Sequence, residues 1–278
     1  MSYKEMLLKN KKPMEIYFFI DPFCSECWSV SPILKRLQME YGDYFSLKYI
    51  LSGKLSSLNK RNSPCKKRWK HHNGKLISKN RKSTEEFEDP PHLAAISIKA
   101  AELQGRRAGI KFIQRLQEML FIENQDISDI NILQKCAKHI GLDLEEFIRD
   151  VYSESASRAF QCDLKISSEM EVDEMPSMVF FNENIEDEGI KITGLYNYEV
   201  YVQILTEMFH DYPKPAEKLP LELFLAQSPI NTAHDLAIIY DLPVQQIEKF
   251  MKKLQLQQKA EKVHTCHGTF WKYNFTGI

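Results

Sequence analysis

The chain has 278 residues, of which 43% are hydrophobic and 27% are charged, a composition typical of a soluble globular protein. Its formal net charge of −1 gives the molecule as a whole no attraction to nucleic acid or to an anionic membrane. The first residues lack the pattern of a signal peptide, and no apolar run approaches the roughly 18 residues that cross a bilayer. We therefore expect a cytoplasmic protein that binds neither nucleic acid nor membrane.

The first predicted element is a strand, MEIYFFID from Met14, which is short, apolar and rich in aromatic residues. Cys24 follows it, and the segment from Cys27 to Gly42 repeats apolar residues at helical spacing, with Gly42 as a candidate C′ glycine. A second strand is predicted from Tyr44 to Leu51. The order strand, Cys-x-x-Cys, helix, strand predicts the opening βαβ unit of a thioredoxin-like fold.

Only one pair among the six cysteines has the spacing of a catalytic motif, namely Cys24 and Cys27. In a reducing cytosol we expect most of the six to remain thiols. Cys136 and Cys162 lie in helical patterns, where they are expected to serve as small hydrophobic residues.

The Cys24–Cys27 pair has the layout of a thiol–disulfide exchange site. A helix N-terminus stabilises a thiolate, which favours Cys24 as the attacking group and Cys27 as the group that resolves a mixed disulfide. Glu26, however, places a negative charge beside the developing thiolate and opposes its formation. The pattern therefore predicts a redox motif that is poorly tuned for oxidation.

A run of helical patterns from about residue 85 to residue 173 is too long for a minimal thioredoxin fold. Prolines near its start and Gly105 punctuate the first pattern, and a later helix is predicted between a Ser128 cap and Gly141. The sequence thus predicts a helical insertion within the fold.

Strand pattern returns from Met175 to Asn182, followed by a further strand with a turn and by a closing helix. Pro176 heads the first of these strands. In a thioredoxin-like fold such a proline is cis and faces the Cys-x-x-Cys motif, at a cost of about 0.5–1 kcal/mol for the cis bond. The alternative is a trans proline that begins an ordinary strand.

Three prolines in DYPKPAEKLP predict a linker over residues 213–220, which separates a domain of residues 1–212 from a C-terminal domain of residues 221–278. The latter resembles a winged helix, with Pro243 opening its third helix and two strands around Gly268. In a DNA-binding protein that helix would enter the major groove. From Ala216 onward, seven lysines and six acidic residues give a net charge of only +1. This low charge favours a role in protein contact over a role in DNA binding.

The segment from Lys54 to Thr84 contains eleven lysines and arginines and no acid. A solvated, mobile loop, a docking surface for an acidic partner and a nucleic-acid site remain open as interpretations, in that order of preference. The candidate partner-binding residues are Lys66, Lys67, Arg68, Trp69 and Lys70. Cys65, His71 and His72 lack a fourth ligand, so no metal and no cofactor are predicted.

With Cys24, Cys27, Pro176 and the helical insertion, residues 14–212 resemble the DsbA-like branch of the thioredoxin superfamily. The chain more closely resembles the SpxH (YjbH) family of ClpXP adapters, and this resemblance extends through the C-terminal residues 221–278. The segments that carry it are PMEIYFFIDPFCSECWSVSPILKRLQMEYG, IKAAELQGRRAGIKFIQRLQEMLF and MPSMVFFNENIEDEGIKITGLYNYEVY. Some members have a zinc-binding N-terminus rich in histidine and cysteine, where this chain has MSYKEMLLKNKKP.

The resemblance implies a cytosolic adapter rather than an enzyme. Such adapters bind the redox-stress transcription regulator Spx and promote its degradation by the ClpXP protease. The alternative from the residues alone is a cytosolic thiol–disulfide oxidoreductase or isomerase that uses Cys24 as its nucleophile. An adapter can keep a peptide-holding fold without turnover, since fold does not fix function.

Overall fold

The computed structural model describes residues 12–52, 92–184, 186–209, 213–265 and 268–274. They form two compact units. The sheet unit contains the described parts of Met1–Phe18, Glu26–Lys48 and Pro176–Ile278, and the helical unit those of Phe19–Ser25 and Tyr49–Met175. Within these ranges, no helix is both long enough and apolar enough to cross a bilayer.

Four strands form the main sheet in the order β2-β1-β3-β4, and they are β1 (Met14–Ile20), β2 (Phe45–Leu51), β3 (Ser177–Phe181) and β4 (Ile190–Thr193). β3 and β4 are antiparallel, with Ser177 opposite Thr193. The first four residues of β3 are buried, whereas β4 alternates between half-buried and exposed residues, as expected of an edge strand. All four strands lie within the predicted segments.

The helix predicted after the cysteine pair is two helices, α1 (Ser25–Ser29) and α2 (Ser31–Tyr41). Pro32 lies in the first turn of α2 and has no N–H, which explains the break at Val30. Gly42 is the C-cap of α2 rather than the predicted C′ residue, with a φ of −60° and a ψ of −18°. A glycine suits the position because a Cβ there would collide with the carbonyl oxygen of Gln38.

The predicted helical insertion is present in the helical unit as α3 (Leu93–Leu103), α4 (Arg106–Phe121), α5 (Ile130–His139), α6 (Leu144–Val151) and α7 (Glu154–Glu169). The N-cap of α5 is Asp129, which accepts the Asn131 N–H, rather than the predicted Ser128. Cys136 is buried as expected, but the prediction is wrong for Cys162, which is exposed.

A buried lysine on α3 is neutralised inside the helical unit. The Lys99 ammonium lies 2.6 Å from a carboxylate oxygen of Asp163 and 2.8 Å from one of Glu102. The same Asp163 oxygen accepts the Leu51 N–H at 2.7 Å. Burial raises the pKa of Asp163, although the charge of Lys99 opposes that rise. The carboxylate is therefore stable in this position only while its cationic partner is present.

Replacing Lys99 by methionine leaves two carboxylates close together and partly or wholly buried without their cation. We expect K99M to lose about 3–5 kcal/mol of unfolding free energy in urea, measured by far-UV circular dichroism. The matched control is K165M, which removes an exposed pair with Glu169 and should cost less than about 1 kcal/mol. Equal free energies of unfolding for the two variants would contradict the role of Lys99 in neutralising these carboxylates.

The rest of the sheet unit begins with α8 (Tyr198–Phe209), and residues 213–220 have no regular secondary structure. The elements that follow are α9 (Leu221–Gln227), β5 (Ile230–Thr232), α10 (Ala233–Tyr240), α11 (Val244–Leu256), β6 (Ala260–Thr265) and β7 (Gly268–Tyr273). The strands form an antiparallel sheet in the order β5-β7-β6. α11 begins directly after Pro243 as predicted, and the predicted pair of strands around Gly268 is present as β6 and β7, whereas β5 was not predicted.

A buried carboxylate on α2, Glu40, binds three side chains. It accepts hydrogen bonds from the Tyr198 hydroxyl at 2.5 Å and from Arg36 Nε at 3.2 Å, and Lys218 Nζ lies 3.0 Å away. The Glu40 carbonyl oxygen also accepts the Ala216 N–H at 2.7 Å. Burial alone would raise the pKa of Glu40, but the bonds from Tyr198 and Lys218 and the charge of Arg36 hold it below its ordinary value. Glu40 is therefore ionised at neutral pH.

Arg36 extends these contacts to the C-terminal elements. Its guanidinium lies 3.1 Å from an Asp241 carboxylate oxygen and donates to the Ile238 carbonyl at 3.2 Å. Nearby, Lys35 Nζ donates to the Ser228 hydroxyl at 2.8 Å. Within the sheet unit, α2 is thus joined both to residues 213–220 and to the elements that follow them.

Because Lys214 precedes a proline, Lys218–Leu219 is the trypsin-sensitive bond in residues 213–220. We expect E40A to be cut there at least about tenfold faster than wild type, because removing a buried charge partner costs several kcal/mol. The measurement is a time course of limited proteolysis followed by mass spectrometry. E199A, at an exposed position of α8, is the control, and indistinguishable rates would refute the role of Glu40.

Candidate functional site

Cys24 lies directly before the first residue of α1, as the sequence predicts. It is half-buried, and its N–H donates to the Asp21 carbonyl at 3.0 Å. The Phe23 N–H donates to the Asp21 carboxylate at 2.8 Å. Asp21 therefore closes the tight turn that places Cys24 at the start of the helix.

Burial raises the pKa of Asp21 to about 6, although the hydrogen bond from the Phe23 N–H opposes that rise. A carboxyl group with this pKa exchanges its proton close to neutral pH, three residues from a candidate redox cysteine. The sequence prediction missed this residue. The available signal was an acidic residue at the end of an otherwise apolar strand and before a proline.

The two motif cysteines differ in exposure. Ser25 and Glu26 are exposed, whereas Cys27 is only 1% exposed. A half-buried first cysteine and a shielded second one match the roles of an attacking and a resolving thiol. Those roles stay a prediction, as does the effect of the Glu26 charge on Cys24.

Trp28, the residue after Cys27, contacts the C-terminal sheet. Its ring stacks on the ring of Phe270 in β7, with centroids 5.7 Å apart and an interplanar angle of 17°. Both residues belong to the sheet unit. Trp28 and Phe270 are far apart in the sequence, so no local pattern predicts this contact between α1 and β7.

Pro176 is buried and lies immediately before β3, as predicted. Its carbonyl oxygen accepts the Gly194 N–H at 2.8 Å, and the hydroxyls of Ser177 and Thr193 are 2.9 Å apart. The structure places Pro176 and Cys27 in the sheet unit and Cys24 in the helical unit. The cis isomer and a shared role for the three residues stay predictions.

Several residues singled out in the sequence lie outside the described residues. They are the candidate partner-binding residues Lys66, Lys67, Arg68, Trp69 and Lys70, the group Cys65, His71 and His72, and also Cys266. In the part of the chain that the structure does describe, no three histidine, cysteine, aspartate or glutamate side chains are grouped as a metal site requires.

Replacing Asp21 by asparagine keeps an acceptor for the Phe23 N–H and removes the ionisation. Since the folded-state pKa of about 6 lies above the ordinary 3.8, ionising Asp21 destabilises the fold as the pH rises between these values. We expect the free energy of unfolding of D21N to exceed that of the wild type by on the order of 1–3 kcal/mol at pH 7.5. The excess should shrink steadily toward pH 4.5 in urea unfolding curves, and a difference independent of pH would contradict the raised pKa.

Comparison with solved structures places the chain in a known fold. It aligns with a putative protein disulfide isomerase from Nitrosomonas europaea at a TM-score of 0.55 and 17% identity, covering 71% of this chain and 98% of that one. A probable DsbA oxidoreductase from Streptomyces coelicolor aligns at a TM-score of 0.51 and 15% identity, covering 75% of this chain and 92% of that one. These similarities show a thioredoxin-like, DsbA-type α/β fold, which confirms that part of the predicted fold class, while the winged-helix-like C-terminal domain stays a prediction.

Sequence comparison gives a much stronger match. A family model described as thioredoxin matches residues 17–203. The ClpXP adapter protein SpxH of Bacillus subtilis is 44% identical over 272 residues, covering 94% of this chain and 90% of that protein. SpxH of Bacillus licheniformis is 43% identical, covering 95% and 89%. The chain therefore belongs to the SpxH family of proteins with a thioredoxin-like fold.

Proposed function

We propose that this protein is an adapter that binds the transcription regulator Spx and promotes its degradation by the ClpXP protease. The observation that carries the proposal is the identity of 42–44% to proteins named ClpXP adapter protein SpxH, over 94–95% of the chain. An adapter needs surfaces that hold a client selectively and does not need to change a covalent bond. Since a transcription regulator acts in the cytoplasm, the proposal also places the protein there.

The extent of each match supports an adapter over a simple thiol exchanger. The thioredoxin model ends at residue 203, and the DsbA-type structures above cover 71–75% of this chain. The SpxH proteins match 94–95% of it, so the matches extend well beyond residue 203 into the C-terminal elements. The C-terminal elements are therefore a feature shared with adapters beyond the redox fold itself.

We further propose that residues 221–278 are a winged-helix-like domain used for protein contact, after a domain of residues 1–212 and a linker of residues 213–220. The order helix, strand, helix, helix, strand, strand supports this assignment. Its own buried cluster supports it too, with Trp271 and Leu236 at 0% exposure. Four basic residues and one aromatic residue are proposed as additional partner contacts, namely Lys66, Lys67, Arg68, Lys70 and Trp69.

A thiol–disulfide oxidoreductase or isomerase remains the second candidate. It is favoured by the half-buried Cys24, the shielded Cys27 and the nearby Asp21, whose pKa is raised by burial to about 6. Residual exchange activity is compatible with an adapter, because one fold can both hold a client and carry out thiol exchange.

A reconstituted degradation assay separates the two functions. Purified Spx, ClpXP and ATP are incubated with substoichiometric amounts of the protein, and the half-life of Spx is followed by gel electrophoresis. We expect a several-fold shorter half-life. The proposal fails if the half-life is unchanged.

In the same assay, C24A/C27A tests whether thiols are required. We expect the double variant to retain more than about half of the stimulation, because holding a client requires no thiol chemistry. Loss of all stimulation, with circular dichroism unchanged, would favour the oxidoreductase. Reduction of a disulfide-bonded peptide by the wild type, measured in parallel, quantifies residual exchange.

A further inference from the structure

Helix α11 presents a mixed basic and apolar face to solvent. Ile247, Met251 and Leu254 form its buried side. On another side lie five residues spaced i, i+3, i+4, i+7 and i+10, which places them along one face of a helix. All five are exposed, and they are Gln246, Lys249, Phe250, Lys253 and Leu256. We call this set the α11 stripe.

Two large apolar side chains of the α11 stripe are unusually open to water. Phe250 is 42% exposed and Leu256 is 87% exposed. Because they are six residues apart, Phe250 and Leu256 lie toward the two edges of the stripe, with Lys249 and Lys253 between them around the helix. A partner that covers the stripe would therefore remove both apolar side chains from water.

The lysines of the α11 stripe differ from most other lysines in the chain after residue 216. Four of the five others have a carboxylate partner, namely Lys218 with Glu40, Lys259 with Glu222, Lys262 with Glu248 and Lys272 with Glu261. Among the residues that the structure describes, no salt bridge involves Lys249, Lys252 or Lys253. The acid of α11 itself, Glu248, is held by Lys262 and lies 3.4 Å from Trp271 Nε1. The stripe therefore carries positive charge that is not neutralised by a salt bridge.

We propose that the α11 stripe is the docking surface for an acidic segment of the client whose apolar side chains cover Phe250 and Leu256. This inference rests on the adapter function proposed above. Charge complementarity selects the acidic segment, and the two apolar residues require a partner that also removes hydrophobic surface from water. An acidic amphipathic helix or strand meets both requirements.

A nucleic acid fits the same surface less well. Phosphate binding depends on several uncompensated cations along a continuous track. The β6 and β7 lysines, Lys262 and Lys272, are already paired with carboxylates, and Lys262 also lies 4.5 Å from the centroid of the Trp271 ring. A phosphodiester backbone would moreover leave Phe250 and Leu256 without an apolar partner.

The test uses the full chain with two changes to the stripe, K249E/K253E and F250S. K111E/K135E makes the same change of charge at exposed positions of α4 and α5 and is the matched control. The affinity for purified Spx is measured by isothermal titration calorimetry without protease. We expect K249E/K253E to weaken binding by about tenfold or more, F250S by several-fold and the control by less than about twofold. Circular dichroism verifies that each variant is folded.

Two competitors identify the chemistry that the stripe recognises. Poly-L-glutamate should displace Spx from the wild type, and a 20-base-pair DNA duplex should not. Displacement by the duplex, lost in K249E/K253E, would overturn the inference in favour of nucleic acid.

The remaining outcomes separate this inference from the proposed function. If the wild type accelerates Spx degradation and K249E/K253E binds Spx equally well, the docking surface is wrong while the adapter function stands. If K249E/K253E binds Spx normally but no longer stimulates ClpXP, the stripe serves the protease and the inference is also overturned. If the wild type neither binds Spx nor affects its degradation, both proposals fail.

Discussion

One buried carboxylate, Glu40, determines how the sheet unit is assembled. An ionised group that is removed from water costs several kcal/mol unless its oxygens are satisfied. Here one oxygen accepts the Tyr198 hydroxyl at 2.5 Å, and the other lies 3.2 Å from Arg36 and 3.0 Å from Lys218. The stabilising groups come from α2, from α8 and from the segment after α8. If α8 or residues 213–220 moved away, the buried carboxylate would lose one of its three partners.

The contacts around Glu40 extend to the C-terminal elements, which carry the surface proposed to bind the client. Arg36 bonds Glu40 and, through Asp241 and the Ile238 carbonyl, the loop and helix that precede α11. Trp28 stacks on Phe270 in the C-terminal sheet. Such contacts hold the exposed face of α11 in one orientation relative to α2. A preorganised surface loses less conformational entropy when a client binds, which matters more for an adapter than for an enzyme that reacts with short peptides.

Local patterns in the sequence predicted most of the fold, and the failures have physical causes. The break at Val30 follows from Pro32, a residue that the apolar periodicity overlooks. β5 has three residues, too few for an alternating pattern. On α7 the buried side passes through Asp163 rather than its neighbour Cys162, because Asp163 pairs with the buried Lys99. A pattern that ranks residues by hydrophobicity alone places the cysteine inside and the aspartate outside.

The residues around the candidate site likewise fall into those that local patterns predict and those that they miss. The positions of Cys24, Cys27 and Pro176 follow from short motifs, since a strand, a turn and a helix start are decided within a few residues. Asp21, Glu40 and Trp28 were missed because their importance depends on burial or on partners far along the chain. Glu40 and Tyr198 are 158 residues apart. The contacts that fix the C-terminal elements therefore cannot be predicted from local patterns. A redox motif is thus readable from the sequence, whereas the long-range contacts that position the elements around it are not.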